Sequence, residues 1–274
     1  MSLPIRLAAL LFSLLCATLR PAAADPAAVL DALRLQDVLA VMAQEGAAYG
    51  EDLQAELFPG KGSASWTSQV ADVHDPARLR PIFDRVFAAS FDQAQEGPIL
   101  AFLRSELGQR IVSLEIDARR ALQEPGIEEA ADAARDAGYD AGNPRLRAVE
   151  DFIERTDLIE PNVTSGMNAN LAFYRAMVRA GGLGYQVTES DMLAEIWGQE
   201  PAVREEMSRW MVSYLYMAYA PLSDAELERY AEFSTSAAGR ALNHALFAGF
   251  DAIFVDSSAR LGAAAGGHLA GEEL

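Results

Sequence analysis

Cysteine is nearly absent from this sequence, lysine occurs once (Lys61) and histidine three times (His74, His244, His268) in 274 residues. No stretch alternates apolar and polar residues with the period of two that half-buried strands require. Each shortage excludes something. The one cysteine, Cys16, lies in the apolar N-terminal stretch "MSLPIRLAALLFSLLCATLRPAAADP". An early cation (Arg6), an apolar run from Leu7 to Leu19 and small residues at Ala22 and Ala24 form the layout of a secretory signal peptide, with cleavage expected after Ala24. The run is too short for the roughly 20 apolar residues of a membrane span. Leu15 before Cys16 is not the small residue that lipid attachment favours. Without residues 1–24 the chain has no cysteine, which excludes disulfides, thiolate nucleophiles and Cys-ligated metals from the mature form. No transmembrane anchor is expected there.

Basic residues are scarce as well. The leader carries Arg6 and Arg20 and no acid, leaving 20 basic against 40 acidic side chains, a net charge of −20. Such a surface repels phosphate backbones, so nucleic acid is excluded as a partner. The preference for Arg over Lys and the abundance of alanine fit a GC-rich bacterial genome, which makes the periplasm the expected location.

What remains is helical. Asp75-Pro76, Gly97-Pro98 and Asn143-Pro144 each set a capping residue before a proline suited to the first helical position. Ser223 with Glu226 forms a capping box, and Thr188 with Asp191 a looser one. The expected class is all-α, a helical bundle with helices near 27–57, 76–93, 98–104, 106–122, 127–137, 144–157, 161–180, 189–197, 201–219, 224–234 and 237–262. Loops are expected at 58–66, 136–143 and 180–186. The expected organisation is a leader at 1–24, a first helical half at 25–138, a second at 139–262 and a flexible, glycine-rich tail at 263–274.

One frame occurs twice. "FLRSELG" places Phe102, Ser105 and Gly108 in the spacing that Phe233, Ser236 and Gly239 repeat in "FSTSAAG". Each serine is positioned to cap the helix that follows it. Each glycine then falls in that helix's first turn, where it costs about 1 kcal/mol relative to alanine unless a neighbouring helix approaches closely over it. Aromatic-rich helices precede both frames, at 83–91 and 209–219. The pattern suggests two related helical-hairpin units. No histidine or acid keeps a constant spacing to both serines, which argues against a nucleophilic role.

The segment "LSDAELERYAEFSTSAAGRALNHALF" (222–247) resembles the bacterial family called domain of unknown function 2059, with Ser234 where tyrosine is usual and Ala237 where proline is usual. The mature chain is similar to the long alphaproteobacterial members, including at 42–60 and 168–177. The resemblance implies a secreted, all-helical protein with no assigned activity.

Polar clusters are few. His74 lies between Asp72 and Asp75, but Asp75 is already accounted for as a cap. Asn162, Asn168, Asn170, Tyr174 and Arg175 load one helix with donors, suited to a polar pocket if buried and to a solvated face if not. Trp66, Trp197 and Trp210, with tyrosines 214, 216 and 219, suggest either an aromatic groove or core. No cofactor and no metal are expected. The leading expectation is a non-enzymatic envelope protein binding a protein or peptide between its two units. The alternatives are a hydrolase using Glu45 or Asp52 with His74, and small-ligand binding at the Asn-rich helix.

Overall fold

A computed structural model describes residues 25–59, 64–182 and 188–272, with no strand among them. The expected leader lies outside these residues. The chain enters through α1 (Pro26–Ala32), whose first turn is capped by Asp25, and turns at Arg34, in left-handed backbone, into α2 (Leu35–Leu57). The single helix expected over 27–57 is therefore two. Helix α3 (Ala64–Val73) occupies part of the expected loop and buries Trp66, whose indole N–H donates to Gly50 O at 2.8 Å. Helix α4 (Pro76–Ser90) starts as its sequence dictates, Asp75 Oδ1 accepting from Ala77 N at 2.8 Å.

Helix α5 (Glu96–Leu103) starts at Glu96, so Gly97-Pro98 lies inside its first turn and is not the cap expected of it. Helices α6 (Glu106–Ala121), α7 (Ile127–Asp140) and α8 (Pro144–Arg155) follow, α8 capped by Asn143. Helix α9 (Ile159–Arg179) carries the asparagines. Helix α10 (Glu189–Ala218) runs unbroken through Pro201, joining two segments expected to be separate. An internal proline costs about 3 kcal/mol. Packing of Ile196, Val203 and Met207 against Val163 and Met167 of α9 on both sides of it offsets that cost. Thr188 and Asp191 form a full capping box at the start of α10, as Ser223 and Glu226 do for α11 (Asp224–Thr235).

Helix α12 (Ala237–Glu272) corrects a further expectation. Residues 263–272 are not a frayed tail but the last turns of this helix, with Ala265 fully buried against α9 and α3. Glycine there is an asset, because a Cβ on Gly262 would stand 2.1 Å from Phe173 O of α9. The helices touch backbone to backbone, and His268 packs its ring edge-on to Trp66 at 5.7 Å.

Two main cores flank α6. Val112 and Ile116 join Leu39, Phe83, Phe87 and Ile253 on one side. Ile111 and Ala118 join Val149, Phe152, Leu215 and Leu227 on the other. The first core draws on α12 and the second on α6, so side chains from both sides of residue 138 share each core.

The two repeated frames have the same local geometry. Ser105 Oγ accepts from Gly108 N at 3.1 Å and donates to Phe102 O at 2.6 Å. Ser236 Oγ does the same with Gly239 N at 3.1 Å and Phe233 O at 2.6 Å. The close approach that each glycine permits is made by the preceding helix's own last turn. A Cβ would lie 2.1 Å from Phe102 O at Gly108 and 2.1 Å from Phe233 O at Gly239. Between the corners, the rings of Phe102 and Phe233 stack at 3.8 Å, 5° from parallel.

Candidate functional site

Helices α6, α8, α9, α10, α11 and α12 do not close completely on one another. They leave a cavity of about 550 Å³ whose walls are mainly aromatic and aliphatic, among them Phe152, Trp210, Tyr214, Tyr219, Phe247 and Phe250. A smaller one of about 170 Å³, reaching towards α2, shares Glu115, Arg119, Tyr214, Leu246 and Phe250 with it. The two therefore meet at Glu115. Phe254, part of the larger wall, is among the few large apolar side chains exposed at the surface.

Glu115 is the group that the sequence did not single out. It stands on α6 between Val112 and Ile116 on one side and Arg119 a turn later, on a stripe that is otherwise packed. It is half-buried and lines both cavities, and burial raises its pKa above the ordinary carboxyl value of 4.5. Two phenols offset part of that penalty, Tyr219 donating to Oε1 at 2.7 Å and Tyr230 at 3.1 Å. Tyr214 donates to the Glu115 main-chain oxygen at 3.0 Å and stacks on Trp210 at 5.1 Å. Burial, with Glu115 as neighbour, pushes the pKa of all three tyrosines up, so they stay protonated donors. Glu115 has no ion-pair partner among the described residues. Arg119, the nearest cation on its helix, is held by Glu45 through Nε–Oε1 at 3.0 Å and Nη2–Oε2 at 2.6 Å.

A pH dependence follows with a definite sign. The native carboxyl binds its proton more tightly than the unfolded one, so folding takes up a proton between 4.5 and the raised native value. The contribution to stability is complete below that window and falls as pH rises through it. Urea midpoints of wild type and Glu115→Gln, compared between about pH 4 and about pH 8, are expected to diverge in favour of the variant as pH rises. A constant difference would contradict the burial of this carboxyl.

The asparagine helix meets the cavity only at its start. Asn162 lines the wall, its amide donating to Leu158 O at 2.6 Å, and Ser165, Gly166 and Ala169 continue that wall. Asn168 is exposed and donates to Asp251 at 3.1 Å. Asn170 is half-buried and not part of the wall. Tyr174 meets Phe173 edge-on at 5.8 Å, and Arg175 pairs with Glu189. The five residues are not brought to one place.

His74 is turned to structure: its ring covers Gly46, its Nδ1 lies 2.9 Å from Val70 O, and burial lowers its pKa. Asp75 is the α4 cap, while Asp72 and Asp52 are exposed. Glu45 is bound to Arg119, and no hydrogen bond among the described residues joins His74 to Glu45 or Asp52. Among the described residues no three His, Cys, Asp or Glu side chains are placed to hold a metal ion. No helix among them is long and apolar enough to cross a membrane. Of the aromatic candidates, Trp210, Tyr214 and Tyr219 line the cavity. Trp66 is core, Tyr216 accepts from Asn143 at 2.9 Å, and Trp197 is 63 % exposed.

The stretch from α4 to α7 that supplies Glu115 also has a recognisable relationship. Residues 77–136 match the family model described as an uncharacterized protein conserved in bacteria, DUF2059. Over this segment the chain is similar to the DUF2059 family. It contains Phe102, Ser105 and Gly108, the first of the two frames, whereas the residues that carried the resemblance in the sequence lie in the second. No curated protein and no solved structure matches the chain. The matched segment thus contributes one wall of the cavity, with Glu115 and Arg119, and α8 to α12 contribute the rest.

Proposed function

We propose that this chain is an exported, periplasmic binding protein that holds a small apolar molecule in the cavity between α6 and α8–α12. The observation that carries this reading is the cavity itself: about 550 Å³, walled by aromatic rings, with a few polar groups converging on it. That is the size and composition of small-molecule sites. It is small for an extended peptide. The engagement of Glu45 by Arg119 and of His74 by Val70 supports binding over hydrolysis. We also read the two serine-capped corners as copies of one helical hairpin that meet at the Phe102–Phe233 stack, with the cavity built between them. Their matching bond lengths support that reading.

Gly166 offers the test. It lies at the exposed rim of the cavity, and a Cβ there meets nothing within 4 Å, so a larger side chain starts in open space beside the cavity. The neutral apolar dye N-phenyl-1-naphthylamine is expected to bind the wild-type protein saturably, with a rise in its emission. Gly166→Phe should fold as well as wild type and weaken the dye about tenfold or more. Absence of saturable binding to wild type, or equal binding to the variant, would remove the proposal.

A further inference from the structure

Glu115 makes the cavity chemically asymmetric. Its Oε1 is occupied by the hydroxyls of Tyr219 and Tyr230, at 2.7 and 3.1 Å. Its Oε2 receives no hydrogen bond from any described residue. The carboxyl lies in the wall shared by both cavities, which Tyr214 and Phe250 also line. A carboxylate that a bound ligand shuts off from water needs a counter-charge, because a lone ion there is costly. No described residue supplies one. The groups facing it are the phenols of Tyr214, Tyr219 and Tyr230 and, from the same helix, Arg119, whose charge is already matched by Glu45 of α2.

An anionic ligand would meet the Glu115 carboxylate with repulsion. A purely apolar one would leave Oε2 without a partner. A protonated amine fits both requirements, because it donates to Oε2 while its charge lies over aromatic faces, which attract cations. The expected mature charge of −20 also concentrates cations near the molecule.

Building on the cavity reading above, we infer that the bound molecule is an apolar amine, its ammonium group against Glu115 Oε2 and its apolar body along Trp210, Phe247 and Phe250. The inference names a ligand class that the cavity alone does not specify.

The test compares two probes of one shape, 2-naphthylmethylamine and 2-naphthylmethanol, by calorimetric titration of the purified protein near neutral pH. The amine is expected to bind wild type about tenfold or more tightly than the alcohol. That ratio should fall towards one in Glu115→Gln and, in wild type, as pH drops and Glu115 becomes protonated. At pH values below the raised pKa of Glu115, titrations in buffers of different ionisation enthalpy should show a proton released as the amine binds. Equal binding of the two probes, or preference for the alcohol, overturns the amine assignment and leaves the cavity reading standing. Failure of both probes and of the naphthylamine dye removes the cavity reading and the amine assignment together. If Glu115→Gln does not fold, the pH profile of the wild-type ratio decides. A pH-independent ratio counts against the inference.

Discussion

Gly239→Ala is expected to destabilise the protein by about 3 kcal/mol, seen as a fall of about 6–12 °C in Tm. Helix propensity alone predicts the opposite, a gain of about 1 kcal/mol on replacing a helical glycine by alanine. Geometry decides between the two. The new methyl group would stand 2.1 Å from Phe233 O, 2.5 Å from Ser234 Cα and 2.6 Å from Ser234 O. All three are backbone atoms, none able to move without opening the corner between α11 and α12. Gly108→Ala should behave alike, with Phe102 O at 2.1 Å and Leu103 Cα at 2.9 Å. Ser236→Ala serves as the comparison: it removes one capping bond and should cost about 1 kcal/mol. Thermal unfolding of the three variants separates the contributions. A neutral or stabilising Gly239→Ala would mean that the two helices do not meet as closely as described.

The second large effect lies in the first core. Phe83 is fully buried, meeting Phe250 edge-on at 4.9 Å and stacking with Phe87 at 5.8 Å. Phe83→Ala should cost about 3–5 kcal/mol, the transfer loss plus the cavity left behind. Its ring fills the space over Gly249 of α12, where a Cβ would come within 2.7 Å of ring carbon Cε2. Gly249→Ala therefore overpacks the same site and should cost about 2 kcal/mol. The residues share one volume, so their changes should not add. Phe83→Leu combined with Gly249→Ala is expected to be more stable than the sum of the singles by about 1 kcal/mol, measured as a double-mutant cycle in urea. Strict additivity would show that α4 and α12 do not pack through this pair.

Such pairs explain where reading the sequence stops. Caps are legible because donor and acceptor lie within three residues of each other, and Asp75, Ser105, Asn143, Ser223 and Ser236 all act as their spacing dictates. The cap placed at Gly97 fails because Glu96 already continues the helix in from the preceding turn. Trp66 falls at the end of the expected loop 58–66 because "GKGSAS" before it is loop-like. Its helix instead rests on the indole bond to Gly50, on the nearby ring of Phe58 and on the ring of His268 from the far end of the chain. Polar character made the asparagine helix a candidate site, but only Asn162 reaches the cavity. The signal for Glu115 was present as an acid on an apolar helical stripe, yet its importance depends on tyrosines 104 and 115 positions away.

The sequence by itself determined the all-helical class, the capped helix starts and the two serine corners, because hydrogen bonds between near neighbours and apolar spacing at the helical period are local properties of the chain. The continuity of α10 through Pro201, the order of the last turns of α12 and the cavity around Glu115 were decided only by tertiary structure. Each depends on which helix lies opposite, and contact between surfaces distant in sequence outweighs a local penalty of a few kcal/mol from a proline, a glycine or a buried charge.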